Sequence, residues 1–334
     1  MYKILTFFSR MDIIAGTISV FIVPFMFFKL GHILKSIYNP QSRNKNDLVV
    51  TKVIPTSHLL SENICVLKKM LGSSSDIIIR DLTIHSLNKS ATIVYIDGLV
   101  DTVPIHDHLL FPLVNHQLKS ELEKECLICY GPKKLLTKYI ISIGSLTETV
   151  NIEDAMHQVL TGCVILLVDD LKEILVMDVE GLKTRTIEEP ITEGLVRGPR
   201  VRFLENIRDN TAILRRLTTD NHLTFCDYDV GKRTKRKLVV TYIDGIPNEQ
   251  LIQEVKKRIE QINLEDVPES GYIEQLIEDD YLSPFPQVQS TERPDRVMAA
   301  LLGGRIGILL DGTPFVLIVP VTFSMTTTVT RGLL

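Results

Sequence analysis

With 334 residues, 45% of them apolar and 23% charged, the chain has the composition of a globular protein with room for two ordinary domains, which excludes a disordered polymer. A net charge of −4 gives no global reason to expect nucleic-acid binding. The cysteines (Cys65, Cys126, Cys129, Cys163, Cys226) are odd in number and scattered. Cys65 and Cys163 fall within apolar patterns, where a reduced thiol packs as a small hydrophobe, so a cytosol-like compartment fits better than a secreted one.

Residues 1–57 read as a leader with an apolar segment, closed by a polar linker over 46–57. Ile13 to Phe28 carries no charge, is bounded by Asp12 and Lys29, and contains Pro24. It is a little short of the ~20 apolar residues a spanning helix needs. No small-residue cleavage site follows, so a removable signal peptide is poorly supported. Read as an anchor, its excess of Lys29, Lys35, Arg43 and Lys45 over Lys3 and Arg10 keeps the rest of the chain cytosolic. The other reading is an unnatural leader, with Met11 or a later start as the true one.

A first α/β lobe is expected over 58–180. Its helix, Leu59 to Leu71, contains Glu62-Asn63-Ile64 and ends at Gly72. Strands follow at Asp76–His85 and Ala91–Asp97, the second closing in Tyr95-Ile-Asp97-Gly98. Helices are expected near His108–Lys124 and at Ile152–Leu160, the latter stopped by Gly162. A hairpin, Val164–Val168 and Glu173–Asp178, turns at Asp169-Asp170.

A charged connector, 181–202, holds Lys183, Arg185, Glu188, Glu189, Glu193, Arg197, Arg200 and Arg202 around Gly198-Pro199. It reads either as a solvated linker or as an anion-binding or lobe-locking element, since arginine forks suit carboxylates.

The same order then recurs over 203–323. A helix from Phe203 to Leu217 contains Glu205-Asn206-Ile207, and strands at His222–Asp229 and Lys237–Asp244 end in Tyr242-Ile-Asp244-Gly245. Helices are expected at Asn248–Ile262 and Gly271–Asp280. After the proline-set approach Ser283–Pro286, Thr291–Asp295 opens a helix with Pro294 in its first turn and Val297, Met298, Leu301 and Leu302 on one face. Gly303-Gly304 ends it. Ile306–Leu310 and Phe315–Val319 form a buried hairpin around Asp311-Gly312. Three ordered landmarks recur at nearly one offset: Glu62 to Glu205 is 143 positions, Asp97 to Asp244 is 147, and Asp169 to Asp311 is 142. The fold class that follows is mixed α/β, with two topologically similar αββααββ lobes from an internal duplication. Paired lobes create a cleft, a favoured place for a small ligand.

Signatures of catalysis are scarce. No phosphate loop, no G-x-S-x-G elbow and no H-E-x-x-H occurs. Cys126-Leu-Ile-Cys129 has redox or zinc spacing without a second ligand pair, and reads more readily as a half-buried apolar segment. His106-Asp107-His108 has no counterpart in the second half and reads as a helix start. Asp97 and Asp244 end apolar strands, where α/β sheets often bind ligands, though Asp-Gly is equally a plain turn. The run Lys232, Arg233, Lys235, Arg236, Lys237 is a solvated loop tip or a contact for anionic lipid headgroups.

The segments Pro190-Ile-Thr192-Glu193, Arg197-Gly-Pro-Arg200, Glu205-Asn206 with Asn210 and Arg215-Arg216, Ser283-Pro-Phe-Pro-Gln287, Thr291-Glu-Arg-Pro-Asp295, and Gly304-Arg305 with Asp311-Gly-Thr-Pro314 closely resemble the A subunit of GerA-type spore germination receptors. The likeness runs from about Leu60 to Phe323. It implies a nutrient-sensing complex of the endospore inner membrane, with soluble lobes on the cytosolic (spore core) side. It also implies B and C subunits and further A subunits as partners, a small nutrient as ligand, no enzymatic activity and no cofactor. In that family membrane helices follow the segment matching Pro320–Phe323, whereas here a divergent tail, 324–334, follows; a truncated or frame-disrupted A subunit is expected. The family's leader is polar, and this one is not.

The expected work is assembly, signal coupling or ligand binding between the lobes, with Arg197, Arg200, Glu292 and Arg293 as the first residues to test. The alternatives are a primary amino-acid or sugar recognition module, and, from another class, an enzyme using Cys126/Cys129 or His106/His108.

Overall fold

The computed structural model describes residues 54–117, 121–179, 201–279 and 286–321, with backbone alone over 121–126. The candidate anchor, the body of the connector with Arg197 and Arg200, and the tail beyond Val321 lie outside the described residues.

The first half begins with α1 (Leu60–Leu71), followed by β1 (Ile77–Ile84) and β2 (Lys89–Ile96). A helical run then passes through α2 (Thr102–Ile105), a π-turn (His106–Leu110) and α3 (Phe111–Asn115). After it come α4 (Glu121–Leu135), a second π-turn (Leu136–Ile140), β3 (Leu146–Thr149), α5 (Ile152–Leu160), β4 (Cys163–Val168) and β5 (Ile174–Asp178). The second half comprises α6 (Ile207–Leu217), β6 (Leu223–Val230), β7 (Arg236–Ile243), α7 (Glu249–Glu260), α8 (Ser270–Ile277), β8 (Gln289–Thr291), α9 (Pro294–Leu302), β9 (Ile306–Leu310) and β10 (Val316–Val319). Each half folds around one antiparallel five-stranded sheet, in the order β1-β2-β4-β5-β3 and β6-β7-β9-β10-β8. The duplication is therefore real at the level of topology.

Both sheets are covered on both faces. Along β2, Ile93 packs into one cluster with Leu109 and Leu136, while Val94 and Ile96 pack into another with Leu67 and Val159. In the second half Val240 belongs with Ile252 and Ile273, and Val239 with Leu214 and Leu301. Alternate side chains of a strand point to opposite faces, and here both faces meet apolar helices.

Two helix starts that differ from the sequence reading are set by side-chain caps. The helix expected from Phe203 starts at Ile207, because Asn206 accepts from the amides of Arg208 (2.9 Å) and Asp209 (3.4 Å), a side-chain N-cap. Phe203 is instead fully buried in the loop ahead of the helix. The helix expected near His108–Lys124 begins at Thr102, with Asp101 accepting from the Val103 amide. The chain then re-enters helix at Glu121, and Gly131, at φ 79°, breaks α4 ahead of Pro132. The edge strands β3 and β8 are too short to leave an alternation in the sequence.

The internal equivalence also needs correction. Asn63 Oδ1 accepts from the Ser57 amide and its Nδ2 donates to the Ser57 carbonyl, both at 2.8 Å. Asn210 makes the same pair of bonds to Leu204, at 2.7 and 2.6 Å. The counterpart of Asn63 is thus Asn210, one helical turn beyond the matched Asn206. The Leu60 amide donates to Asp169 Oδ1 and the Ile207 amide to Asp311 Oδ1, which fixes the same alignment. The register agrees, Ala91 opposing Val168 as Leu238 opposes Leu310. The offset is 147 for the first helix and the second strand, 146 for the first strand between them, and 142 from the last helix onward, so the second half is shorter chiefly between the second strand and the last helix.

Candidate functional site

The two sheets meet where the chain enters β1. Ser74 and Asp76 stand just before that strand and are buried. Arg215, in the last turn of α6, reaches across to them with 1% of its side chain exposed against 6% for Asp76. Its Nε donates to Asp76 Oδ2 at 2.6 Å and its Nη2 to Asp76 Oδ1 at 3.0 Å, a bidentate fork. Nη2 also donates to Ser74 Oγ (3.1 Å) and Nη1 to the Asp220 carbonyl (3.3 Å), while the Phe225 ring lies 5.1 Å beneath the guanidinium carbon. Ser74 Oγ in turn donates to Asp76 Oδ1 at 2.5 Å. A buried guanidinium is tolerated when its donors are met in this way, and removing one partner leaves an uncompensated charge.

Backbone bonds seal the seam around that pair. The Ser75 amide donates to the Phe225 carbonyl (3.0 Å) and the Phe225 amide to Ser74 Oγ (2.9 Å), so the entry to β1 covers the edge of β6. Ser75 Oγ donates to Asp227, and Asn221 Nδ2 to the Met70 carbonyl at 2.8 Å. Farther along, Gly98 lies so close to α6 that an added Cβ would sit 3.0 Å from both Ala212 Cβ and the Arg208 carbonyl. Ala212 is part of the first half's own core cluster. Along this seam the expected cleft is filled with protein.

The residues singled out in the sequence are not gathered in one place. Asp97 is at the junction, where its Oδ2 lies 3.1 Å from Arg208 Nε. Asp244, its counterpart, is exposed. Glu292 and Arg293 are buried within the second half. The Glu292 carbonyl accepts from the Phe203 amide, and Arg293 forks onto Asp295 at the start of α9. In the basic run, Arg233 pairs with Glu265 (3.1 Å), Arg236 with Asp266 (3.7 Å) and Lys237 with Asp229 (2.8 Å). The last pairing raises the Lys237 pKa and lowers that of Asp229. Backbone bonds from Lys232 and Arg233 to the carbonyls of Leu264 and Glu265 staple this hairpin to the loop after α7.

The remaining candidates stand apart. His106 Nδ1 is 2.9 Å from Asp107 and His108 Nδ1 is 3.1 Å from Ser142 Oγ, and all of these side chains except that of Ser142 belong to one exposed helical turn. Cys129 is exposed and free, and the Cys126 side chain lies outside the described residues. Among the described residues, no group of three His, Cys, Asp or Glu is placed to hold a metal ion. Among them, too, no helix is long and apolar enough to cross a membrane.

Arg215 and Asp76 were not picked out as a pair in the sequence. The available signal was an arginine on the buried stripe of α6, a turn beyond Thr211 and beside Leu214. What it meets is set by tertiary packing 139 residues away.

Fold and junction together define a class: a duplicated, three-layered α/β domain whose lobes are joined by a buried ion pair. The family model for the Bacillus/Clostridium GerA spore germination protein matches residues 65–330, and the chain belongs to that family. It is 39% identical over 263 residues to spore germination protein B1 of Bacillus subtilis, covering 79% of this chain and 53% of that protein. It is 36% identical over 272 residues to spore germination protein KA of the same organism, covering 79% and 47%. The chain thus spans about half the length of these curated relatives. A crystal structure of the N-terminal domain of the A subunit of the Bacillus megaterium spore germinant receptor GerK3 superposes with a TM-score of 0.62 at 35% identity, covering 81% of this chain and 98% of that one.

Proposed function

We propose that this chain supplies the two-lobed domain of a germinant-receptor A subunit, and that the domain works as one joined assembly and coupling element without catalytic activity. The observation that carries this is the Arg215–Asp76 pair. Four donors of one guanidinium are met across and beside the seam in a place closed to water. A hinge that opened to admit a ligand would have to expose or strand those charges. Coupling therefore runs through what packs against the joined lobes, and a signal needs contacts that differ between two states. The partners in this reading are B and C subunits and further A subunits at the spore inner membrane, with this domain on the core side.

The test places Asp97→Asn and Arg208→Gln, which loosen the junction at its solvent side, in a full-length A subunit carrying this domain. Nutrient-triggered germination is followed by loss of optical density. The expected result is slower germination at unchanged subunit abundance. Normal germination after deletion of residues 54–321 would contradict the reading.

A further inference from the structure

The edge strands of the two sheets are treated unequally. β3 and β8 run for only four and three residues, and short edges pair poorly with other chains. β1 and β6 are both eight residues long and hold equivalent places, Ile77 opposing Ile96 as Leu223 opposes Ile243. On β6, Phe225 turns its amide and its carbonyl to the outer edge. The chain entering β1 covers both, Ser74 Oγ accepting from the Phe225 amide and the Ser75 amide donating to the Phe225 carbonyl. The equivalent of Phe225 on β1 is Ile79. Residues two apart in a strand aim their backbone groups the same way, so Ile79, Asp81 and Thr83 all face outward. Among the described residues, nothing beyond the sheet bonds to the backbone of these three.

The usual protections of a long edge are missing from β1. Its pairing with β2 is regular over all eight positions, without a bulge, and it contains neither proline nor lysine. It opens on three successive isoleucines, Ile77 to Ile79, all half-buried. Arg80 is exposed, and among the described residues no carboxylate pairs with it. Asp81, by contrast, already accepts from Thr92 Oγ1 at 2.6 Å. The open edge is also continuous with an interface the molecule already makes, since Asp76, the partner of Arg215, leads directly into Ile77.

We propose that the outer edge of β1 takes up an extended segment of a B or C subunit as an added strand, doing for the first sheet what Ser74 and Ser75 do for the second. This rests on the reading of the domain as an assembly element with those partners, and it names the surface and the mode of contact. The two faces of β1 fix the chemistry of the segment. Ile77 and Ile79 pack toward the core cluster under α1, while Leu82 and Ile84 belong to the opposite one, on the side that Arg80 shares. The incoming strand therefore alternates, apolar beside Ile79 and carboxylate-bearing beside Arg80. Main-chain bonds supply affinity in such a contact, and the alternate side chains supply choice of partner. A second copy of β1 fits poorly. Antiparallel registers centred on its middle set Arg80 opposite Arg80 or Asp81 opposite Asp81, and like charges directly opposed are destabilising.

The test follows hydrogen exchange across 77–84 in a full-length A subunit carrying this domain, alone and with purified B and C subunits added. Alone, the amides of Ile79, Asp81 and Thr83 are expected to exchange fast, and those of Arg80 and Leu82, bonded to β2, slowly. On assembly the first three are expected to slow at least about tenfold. Thr83→Pro removes an outward amide without touching the ladder to β2 and is expected to weaken assembly about fivefold, whereas Thr83→Ala preserves it. Arg80→Glu, at an exposed position, is expected to weaken it about tenfold and keeps the test decisive if proline unfolds the strand. Slowing at those three amides together with these losses supports the added strand. Assembly that leaves the three amides unchanged and ignores Thr83→Pro and Arg80→Glu overturns it, with the assembly reading still standing. Slowing that appears in the A subunit alone as its concentration rises makes the occupant a second copy and overturns it too. Failure of the A subunit to associate with B and C subunits at all overturns both.

Discussion

Arg215 Nε and Asp76 Oδ2 lie 2.6 Å apart across the seam between the two halves, with almost no solvent access to either side chain. Breaking this pair from one side is expected to be costly. Arg215→Met or Asp76→Leu alone should destabilise the chain by about 3–5 kcal/mol, because each leaves a buried charge, whereas the double variant should recover most of that loss. Chemical denaturation of the four members of the cycle checks this, and equal, additive losses would show the pair to be unlinked.

Asn63 and Asn210 each clamp the chain six residues upstream through two side-chain bonds. Alanine at either site removes a buried side chain and leaves the half-buried amide and carbonyl of Ser57 or Leu204 without it, and a loss of about 1–3 kcal/mol is expected at each. Asn206→Ala removes only a helix cap and should cost about 1 kcal/mol. Thermal unfolding should therefore group Asn63→Ala with Asn210→Ala, and not with Asn206→Ala.

Gly98→Ala and Gly245→Ala separate backbone strain from packing. Both glycines hold positive φ, so both substitutions carry the same left-handed cost of about 1 kcal/mol. Only Gly98→Ala also drives a methyl into Ala212 and the Arg208 carbonyl, which should add about 1–3 kcal/mol. The difference between the two midpoints, measured at protein concentrations where the chain is monomeric, reads the packing term alone.

Burial raises the pKa of Glu274 on α8, with a smaller push from Glu278. A carboxyl raised on folding favours the native state only while protonated. Its contribution is complete below the unfolded-state pKa and is lost as pH rises through the folded one. Glu274→Gln should accordingly raise the melting temperature at pH 7, and the gain should vanish below the ordinary glutamate range. A gain that persisted unchanged in acid would assign the effect to packing.

Much of this architecture was legible in the sequence. Tyr95-Ile-Asp97-Gly98 and Tyr242-Ile-Asp244-Gly245 occupy equivalent strand ends, and Ile152–Leu160 forms a helix over the expected span. The repeat of Glu-Asn-Ile at 62–64 and 205–207 was misleading. It matches by composition, but in one copy the asparagine is a buried clamp and in the other it caps a helix. Which role an asparagine takes depends on whether its neighbours are already helical, and a short identity does not carry that information. The lobe junction was invisible for a related reason. Asp76 reads as the first residue of a strand, and only the arrival of α6 turns it and Ser74 into the partners of a buried arginine.

Two copies of one design are locked into a single cooperative body. Native-state hydrogen exchange of the full chain under rising denaturant, with peptides from β2 and β7 followed separately, tests it most directly. Both strands are expected to open in one event in the wild type and in two distinct events in Arg215→Met. Separate opening of β2 and β7 in the wild type would contradict it.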